Sequence, residues 1–482
     1  MPITVGVGMA KGDQKNGRFR KKGVFTAGGS FFDLICSLIG EVLRLVQSFA
    51  REGRQVPEEL LFLMQLCEGD NFQKTPPGSR SYAFLLPLAL ENLESSPEYA
   101  KFCRLLLTER RFNKVFPPAE RGEAGNLVFP KEYLLSIAWR YLNQTGTPAL
   151  RPEALGEILA QSEAVWEKRS FNFRMVAPLV GLSGSGELPE FNLGRWRLRR
   201  LSESEVARVQ YFRQYFSLPA TMVYSGEAPP CLSFALVLED CEVPFSGLAA
   251  GWNVVRPEFL PEKELRDLVS LLQAATSVGE FGCWSAISCP VLIYYTVDWA
   301  ANPFGNPFSP DYAWPLGRLH FGREWFLPPA GWDDWVSRMF SFIEGAPEPE
   351  KVRYRRALRW FAESIFCDNL CDRMMKLFIA LEVLCLGGIK VDRGKGQKIA
   401  ARCSELLHTD DRERRRWRKF IKDAYEKVRP LLFHEGADEE KLAQLLKEKL
   451  KISVPEECAD LLEIAFRTAW NALVLGLARE KA

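Results

Sequence analysis

Arg429 and His434 are separated by four residues in Lys427-Val428-Arg429-Pro430-Leu431-Leu432-Phe433-His434-Glu435-Gly436, within a chain that holds only three histidines. Arginine keeps its charge at any accessible pH and histidine titrates near neutrality, so the pair sets a fixed cation beside a proton carrier. Phosphodiester cleavage without a metal needs both kinds of group. The bland alternative for His434 is a helix C-terminal cap whose charged form the helix dipole favours.

The elements that must position this pair are helical. From Val352 onward, Ala357, Phe361 and Ile365 keep i, i+4 spacing, and Met374, Phe378, Leu381 and Cys385 form a second stripe that Gly387-Gly388 ends. A third helix is expected over 397–407. A fourth starts at Asp410-Asp411 as an acidic cap and carries Trp417, Ile421, Tyr425 and Val428 inward. After a short acidic helix, Pro455 opens the last one, with Leu462, Phe466, Ala469, Leu473 and Leu477 on one face. Residues 351–482 therefore read as an all-α bundle. Pro430 removes a helix hydrogen bond, which places Arg429 at a helix end or kink. Glu382 interrupts an apolar helix face and needs a cationic partner if buried, with Arg429 the candidate. Tyr425, one turn before Arg429, either lines the same cleft or packs in the core. Arg412, Arg415, Arg416, Arg418, Lys419 and Lys422 lead into the pair, either as phosphate contacts or as a solvated face laced with ion pairs.

Upstream, two Gly- and Pro-rich breaks, 181–189 and 344–350, read as linkers and divide the chain into several domains. Residues 1–185 form a helix-rich region, with helical periodicity over 31–50, 57–67, 81–107, 131–143 and 152–168 and room for some strand. Residues 190–345 are α+β and a candidate sensor, with strands at 231–238 and 290–297, a helix at 262–275, and ordered irregular loops over 300–335. Arg195-Trp196-Arg197-Leu198-Arg199-Arg200 alternates like a strand with one cationic face, either touching nucleic acid or serving as an edge-strand charge row. Gly388 to Gly396, which includes Lys395, has five residues between its first glycines and no Ser/Thr after the lysine, so it is not a phosphate loop.

Composition excludes several classes. The net charge of +2 hides an asymmetry, with 28 Lys and Arg against 21 acids from Lys351 onward and 35 against 40 before it, so the basic end is the one suited to a polyanion. Twelve cysteines without a Cys-x-x-Cys pair read as thiols of a reducing cytoplasm, and no His/carboxylate spacing suggests a metal or cofactor site. Charges at Asp33, Glu41 and Arg44 make the first apolar run a core helix, not a membrane span, and the N-terminal arm lacks the pattern of a secretory signal.

Tyr354-Arg355-Arg356-Ala357-Leu358, then Asp372 to Leu384, then a basic helix ending in Arg429-x4-His434 resembles the HEPN superfamily, specifically the Apea-like HEPN domains, over roughly 351–480. The resemblance implies a metal-independent endoribonuclease, a homodimer that brings two such motifs into one cleft, and a role in anti-phage defence by abortive infection. It departs from the family at Pro430, where a small polar residue is usual. The chemistry agrees with a dimer on separate grounds. RNA cleavage needs one group to take the 2′-hydroxyl proton and another to protonate the leaving 5′-oxygen, and one copy supplies only His434. The remainder of the chain is then expected to sense a phage-derived trigger or hold the nuclease inactive. The rival expectation is a non-catalytic HEPN module that binds RNA or protein and dimerises.

Overall fold

The computed structural model describes residues 30–53, 82, 85–110, 113, 118–167, 170–182, 189–202, 205–206, 209, 233–244, 247, 255–276, 287–296, 311–316, 326–387, 394–407, 410–434 and 439–476. Helices dominate these residues and one antiparallel sheet accompanies them. The chain divides into two compact units, one of residues 1–56, 75–168 and 300–304 and the other of 57–74, 169–299 and 305–482. By this division residues 169–299 and 305–482 lie in one unit.

In the first unit, α1 (Ser30–Arg51) buries Ile35, Leu38, Ile39, Val42, Leu43 and Val46, three or four residues apart, and leaves Glu41 and Arg44 paired at the surface. The helix expected over 81–107 is instead two, α2 (Leu86–Leu93) and α3 (Pro97–Thr108). Ser96 caps α3 by accepting from Tyr99 N at 3.1 Å, and Pro97 fits its first turn, where no N–H is needed. α4 (Pro118–Thr145) and α5 (Pro152–Glu167) follow, and Phe102 of α3 stacks on Phe31 of α1 at 5.9 Å and on Tyr133 of α4 at 6.3 Å. The expected helix at 57–67 lies outside the described residues.

The sheet of the second unit begins with β1 (Ser170–Leu179), in a stretch read as helix-rich. It pairs with both β4 (Phe234–Pro244) and β5 (Val291–Thr296), and β2 (Phe191–Leu193), β3 (Trp196–Arg200) and β6 (Asp311–Pro315) complete the order β2-β3-β4-β1-β5-β6. Flanked by β4 and β5, β1 buries Phe173, Met175, Val176, Ala177 and Leu179, with Arg174 half-buried among them and paired with Glu239 at 2.6 Å. β3 is bonded to β2 and β4, so the expected edge-strand position is overturned. Its buried Trp196 and Leu198 alternate with arginines, and carboxylates answer those cations: Arg195–Glu264 at 2.6 Å, Arg197–Glu190 at 3.7 Å and Arg199–Glu205 at 2.6 Å. A face so neutralised is poorly suited to nucleic acid.

The helices α6 (Glu262–Ala275) and α7 (Trp332–Glu344) join the sheet to the bundle, and β6 and the start of α7 fall where only loops were expected. Residues 344–350 are a tight corner rather than a linker. Gly345 N donates to Ser341 O at 2.9 Å and Lys351 N to Pro347 O at 2.9 Å, which turns α7 directly into α8 (Glu348–Ile365). Glu344 then binds Lys351 at 3.0 Å and also pairs with Arg355, while Arg359 reaches Asp267 on α6 at 2.6 Å. The bundle continues through α9 (Leu370–Leu386), α10 (Lys395–Leu407), α11 (Asp411–Asp423), α12 (Arg429–His434), α13 (Glu439–Leu445) and α14 (Pro455–Val474). Its centre is the stacked pair Phe361–Phe466 at 4.5 Å, over which Arg467 lies while bonding Glu463 at 2.9 Å and Ala274 O at 3.3 Å. No described helix is long and apolar enough to cross a membrane.

Phe361→Ala removes half of that stacked pair from a fully buried site and is expected to cost about 3–5 kcal/mol. Urea denaturation with fluorescence detection measures it; a loss under 1 kcal/mol would contradict this account of the core.

Candidate functional site

The helix carrying the Arg429–His434 pair starts at Asp410, whose carboxylate accepts from Arg412 N at 3.4 Å and Glu413 N at 3.2 Å. Ile421, Ala424, Tyr425 and Val428 face the core. The helix does not stop at Pro430. It passes through a π-helical turn, Ala424–Val428, in which Arg429 N donates to Ala424 O five residues back, and then resumes as α12. The proline explains the detour. Its ring would collide with the carbonyl four residues earlier and it has no N–H to offer, and a widened turn removes both problems without breaking the helix. Arg429 then lies over the rings of Tyr425 at 4.9 Å and Phe433 at 4.4 Å.

Glu382 on α9 holds the cluster together. Tyr425 Oη donates to Oε2, Arg429 Nη2 reaches the same oxygen at 3.4 Å, and Lys395, first residue of α10, binds Oε1. The close approach of α10 depends on Gly396, because a Cβ there would stand 3.0 Å from Tyr425 Cδ1 and 3.3 Å from Glu426 Cγ. Burial by itself would raise the Glu382 carboxyl. The hydrogen bonds from Lys395 and Tyr425, with the charges of Lys395 and Arg429, outweigh it and hold the group below the ordinary carboxylate value. Burial, then the bond to Glu382, pushes the Tyr425 phenol up, so it stays a neutral donor. Arg429 is less well served. Its Nε is buried without a hydrogen-bond partner, while the side chain as a whole is 22% exposed.

The structure thus brings together Arg429, Glu382 and Tyr425 of the residues singled out in the sequence. His434 ends α12, and its side chain lies outside the described residues. Five positions of α-helix turn the chain so that His434 stands about 140° around the axis from Arg429. Arg412, Arg415, Arg416, Arg418, Lys419 and Lys422 are exposed on α11. Only part of that face is internally paired, Arg414 with Asp411 at 2.9 Å and Arg416 with Glu413 at 3.8 Å. Trp417 is half-buried, edge-on to Phe420 at 5.8 Å, rather than a core residue. His320 and His408 lie outside the described residues. Sequence reasoning missed Lys395, which sits in the loop set aside as no phosphate site, and Phe433, whose i+4 spacing from Arg429 was the available signal. Among the described residues, no three His, Cys, Asp or Glu side chains are grouped to hold a metal ion.

Because the folded Glu382 value is lowered, its contribution to stability is present above the unfolded value of about 4.3 and is lost as pH falls through the folded value. Urea melts of wild type and Glu382→Gln should therefore differ most above about pH 5 and converge on acidification; a difference constant from pH 3 to 7 would remove this assignment. Gly396→Val should lower stability at every pH, by about 1–3 kcal/mol in the same melts, through overpacking against Tyr425.

Comparison of the chain with protein-family profiles, with curated proteins and with solved structures finds no match.

Proposed function

We propose that the chain is a metal-independent endoribonuclease of HEPN type that works as a homodimer. In this reading Arg429 holds the non-bridging oxygens of the scissile phosphate. One His434 takes the 2′-hydroxyl proton, and His434 of a second copy protonates the leaving 5′-oxygen. The products are a 2′,3′-cyclic phosphate and a 5′-hydroxyl. The exposed cations of α11 bind flanking phosphates, and the sheet region with the first unit senses a phage-derived trigger in an abortive-infection response.

The observation that carries this reading is the state of Arg429. It is a guanidinium fixed between two rings, with a buried, unpartnered Nε and one long ion-pair contact. A cation held so firmly and satisfied so incompletely is prepared for an anion. One feature favours the rival reading, a non-catalytic module for RNA or protein binding and dimerisation. Glu382 and two rings already give Arg429 a structural task, and Pro430 stands where a polar residue is usual.

Purified protein incubated with mixed RNA in EDTA should yield fragments with 2′,3′-cyclic phosphate ends. His434→Ala should slow cleavage by roughly 10²- to 10⁴-fold, and Arg429→Ala should reduce it similarly. Cleavage surviving in His434→Ala overturns the mechanism, and intact RNA under every condition, including phage lysate as trigger, selects the binding module.

A further inference from the structure

Two full positive charges meet one negative charge at Glu382. Lys395 Nζ binds Oε1 and Arg429 Nη2 approaches Oε2 at 3.4 Å, longer than the roughly 2.7–2.9 Å of a strong charge-assisted bond. The excess positive charge grows further because Lys395 begins α10, thirteen residues long, whose first turn adds the partial positive charge of a helix N-terminus. The cluster is partly open to solvent, with the Lys395 side chain 38% exposed, Arg429 22% and Glu382 20%. The two carboxylate oxygens of Glu382 span Lys395 and Arg429 as the two non-bridging oxygens of a phosphodiester would. On the helix that leads into Arg429, the exposed Arg412, Arg415, Arg416, Arg418, Lys419 and Lys422 fit further phosphates of the same strand.

We propose that Lys395 and Arg429 form a two-point clamp for one phosphodiester of an RNA strand, and that Glu382 is the anion this clamp holds in its place here. The clamp rests on the reading that Arg429 meets RNA, and it adds Lys395 as a phosphate-contacting residue that the Arg-x4-His pattern does not contain. When RNA enters, Lys395 and the Arg429 Nη donors turn to the phosphate oxygens. Glu382 keeps the Tyr425 hydroxyl as its donor and remains a hydrogen-bonded carboxylate.

The test is a fluorescence-anisotropy titration of the full chain with a labelled 2′-O-methyl RNA 12-mer, which lacks the nucleophile and so reports binding alone. Lys395→Ala should weaken binding at least fivefold and reduce the slope of log K against log salt by about 0.7, the value for one lost single-strand phosphate contact. Lys395→Arg should restore both, which a purely structural role for Lys395 would not require of the salt slope. Lys395→Ala binding within twofold of wild type overturns the clamp, as does an unchanged salt slope or absence of binding by the wild-type chain. Cleavage of unmodified RNA is scored separately. Lys395-dependent binding without cleavage keeps the clamp and removes the nuclease, whereas His434-dependent cleavage untouched by Lys395→Ala removes the clamp and keeps the nuclease.

Discussion

A carboxylate set into an apolar helix face has to be answered, and the answer to Glu382 organises the C-terminal bundle. Its partners come from three places in the chain: Lys395 at the start of one helix, Tyr425 in the π-turn, and Arg429 at the start of the helix that follows. Hydrogen bonds to a charged group contribute about 1.5–3 kcal/mol each, and the upper figure does not apply where side chains are a fifth or more exposed. The larger effect is directional. The three donors converge on Glu382 from α10, the π-turn and α12, so in this state they orient those elements toward α9.

The π-turn is the local counterpart of that constraint. Five residues of widened helix let Tyr425 and Phe433 bracket the Arg429 guanidinium, and stacking of this kind contributes about 0.5–2 kcal/mol according to how far the cation is desolvated. Arg467 over Phe361 repeats the arrangement in the bundle centre. There the cation is fully bonded, with Glu463 and Ala274 O, and it reads as a structural residue. Arg429 differs from Arg467 in its unpartnered Nε, not in its stacking.

Much of the bundle was legible in the sequence because its signals are local. The stripe Met374, Phe378, Leu381 and Cys385 is buried, Asp410 caps its helix, and Pro455 opens the last one. The Glu382–Arg429 contact followed from the cost of an unanswered buried charge. Other features were hidden for definite reasons. β1 buries residues on both faces and loses the alternation that marks a half-exposed strand. Lys395 meets Glu382 from the start of a helix that Gly396 lets pack closely against Tyr425 and Glu426, a tertiary fact with no local trace. Gly345 and Pro347 have the same composition in a corner as in a linker, and only the hydrogen bonds across 344–351 tell the two apart.

That corner has a mechanical consequence. With α7 turning into α8 over a few residues, and α8 clamped to α6 through Arg359 and Asp267, the sheet and the bundle cannot swing as beads on a tether. They share buried surface, and their amides are expected to exchange with solvent in one cooperative opening rather than two. Information arriving at the sheet would reach Arg429 as strain in packed helices instead of as domain reorientation, which restricts any control of the site to displacements of an ångström or so.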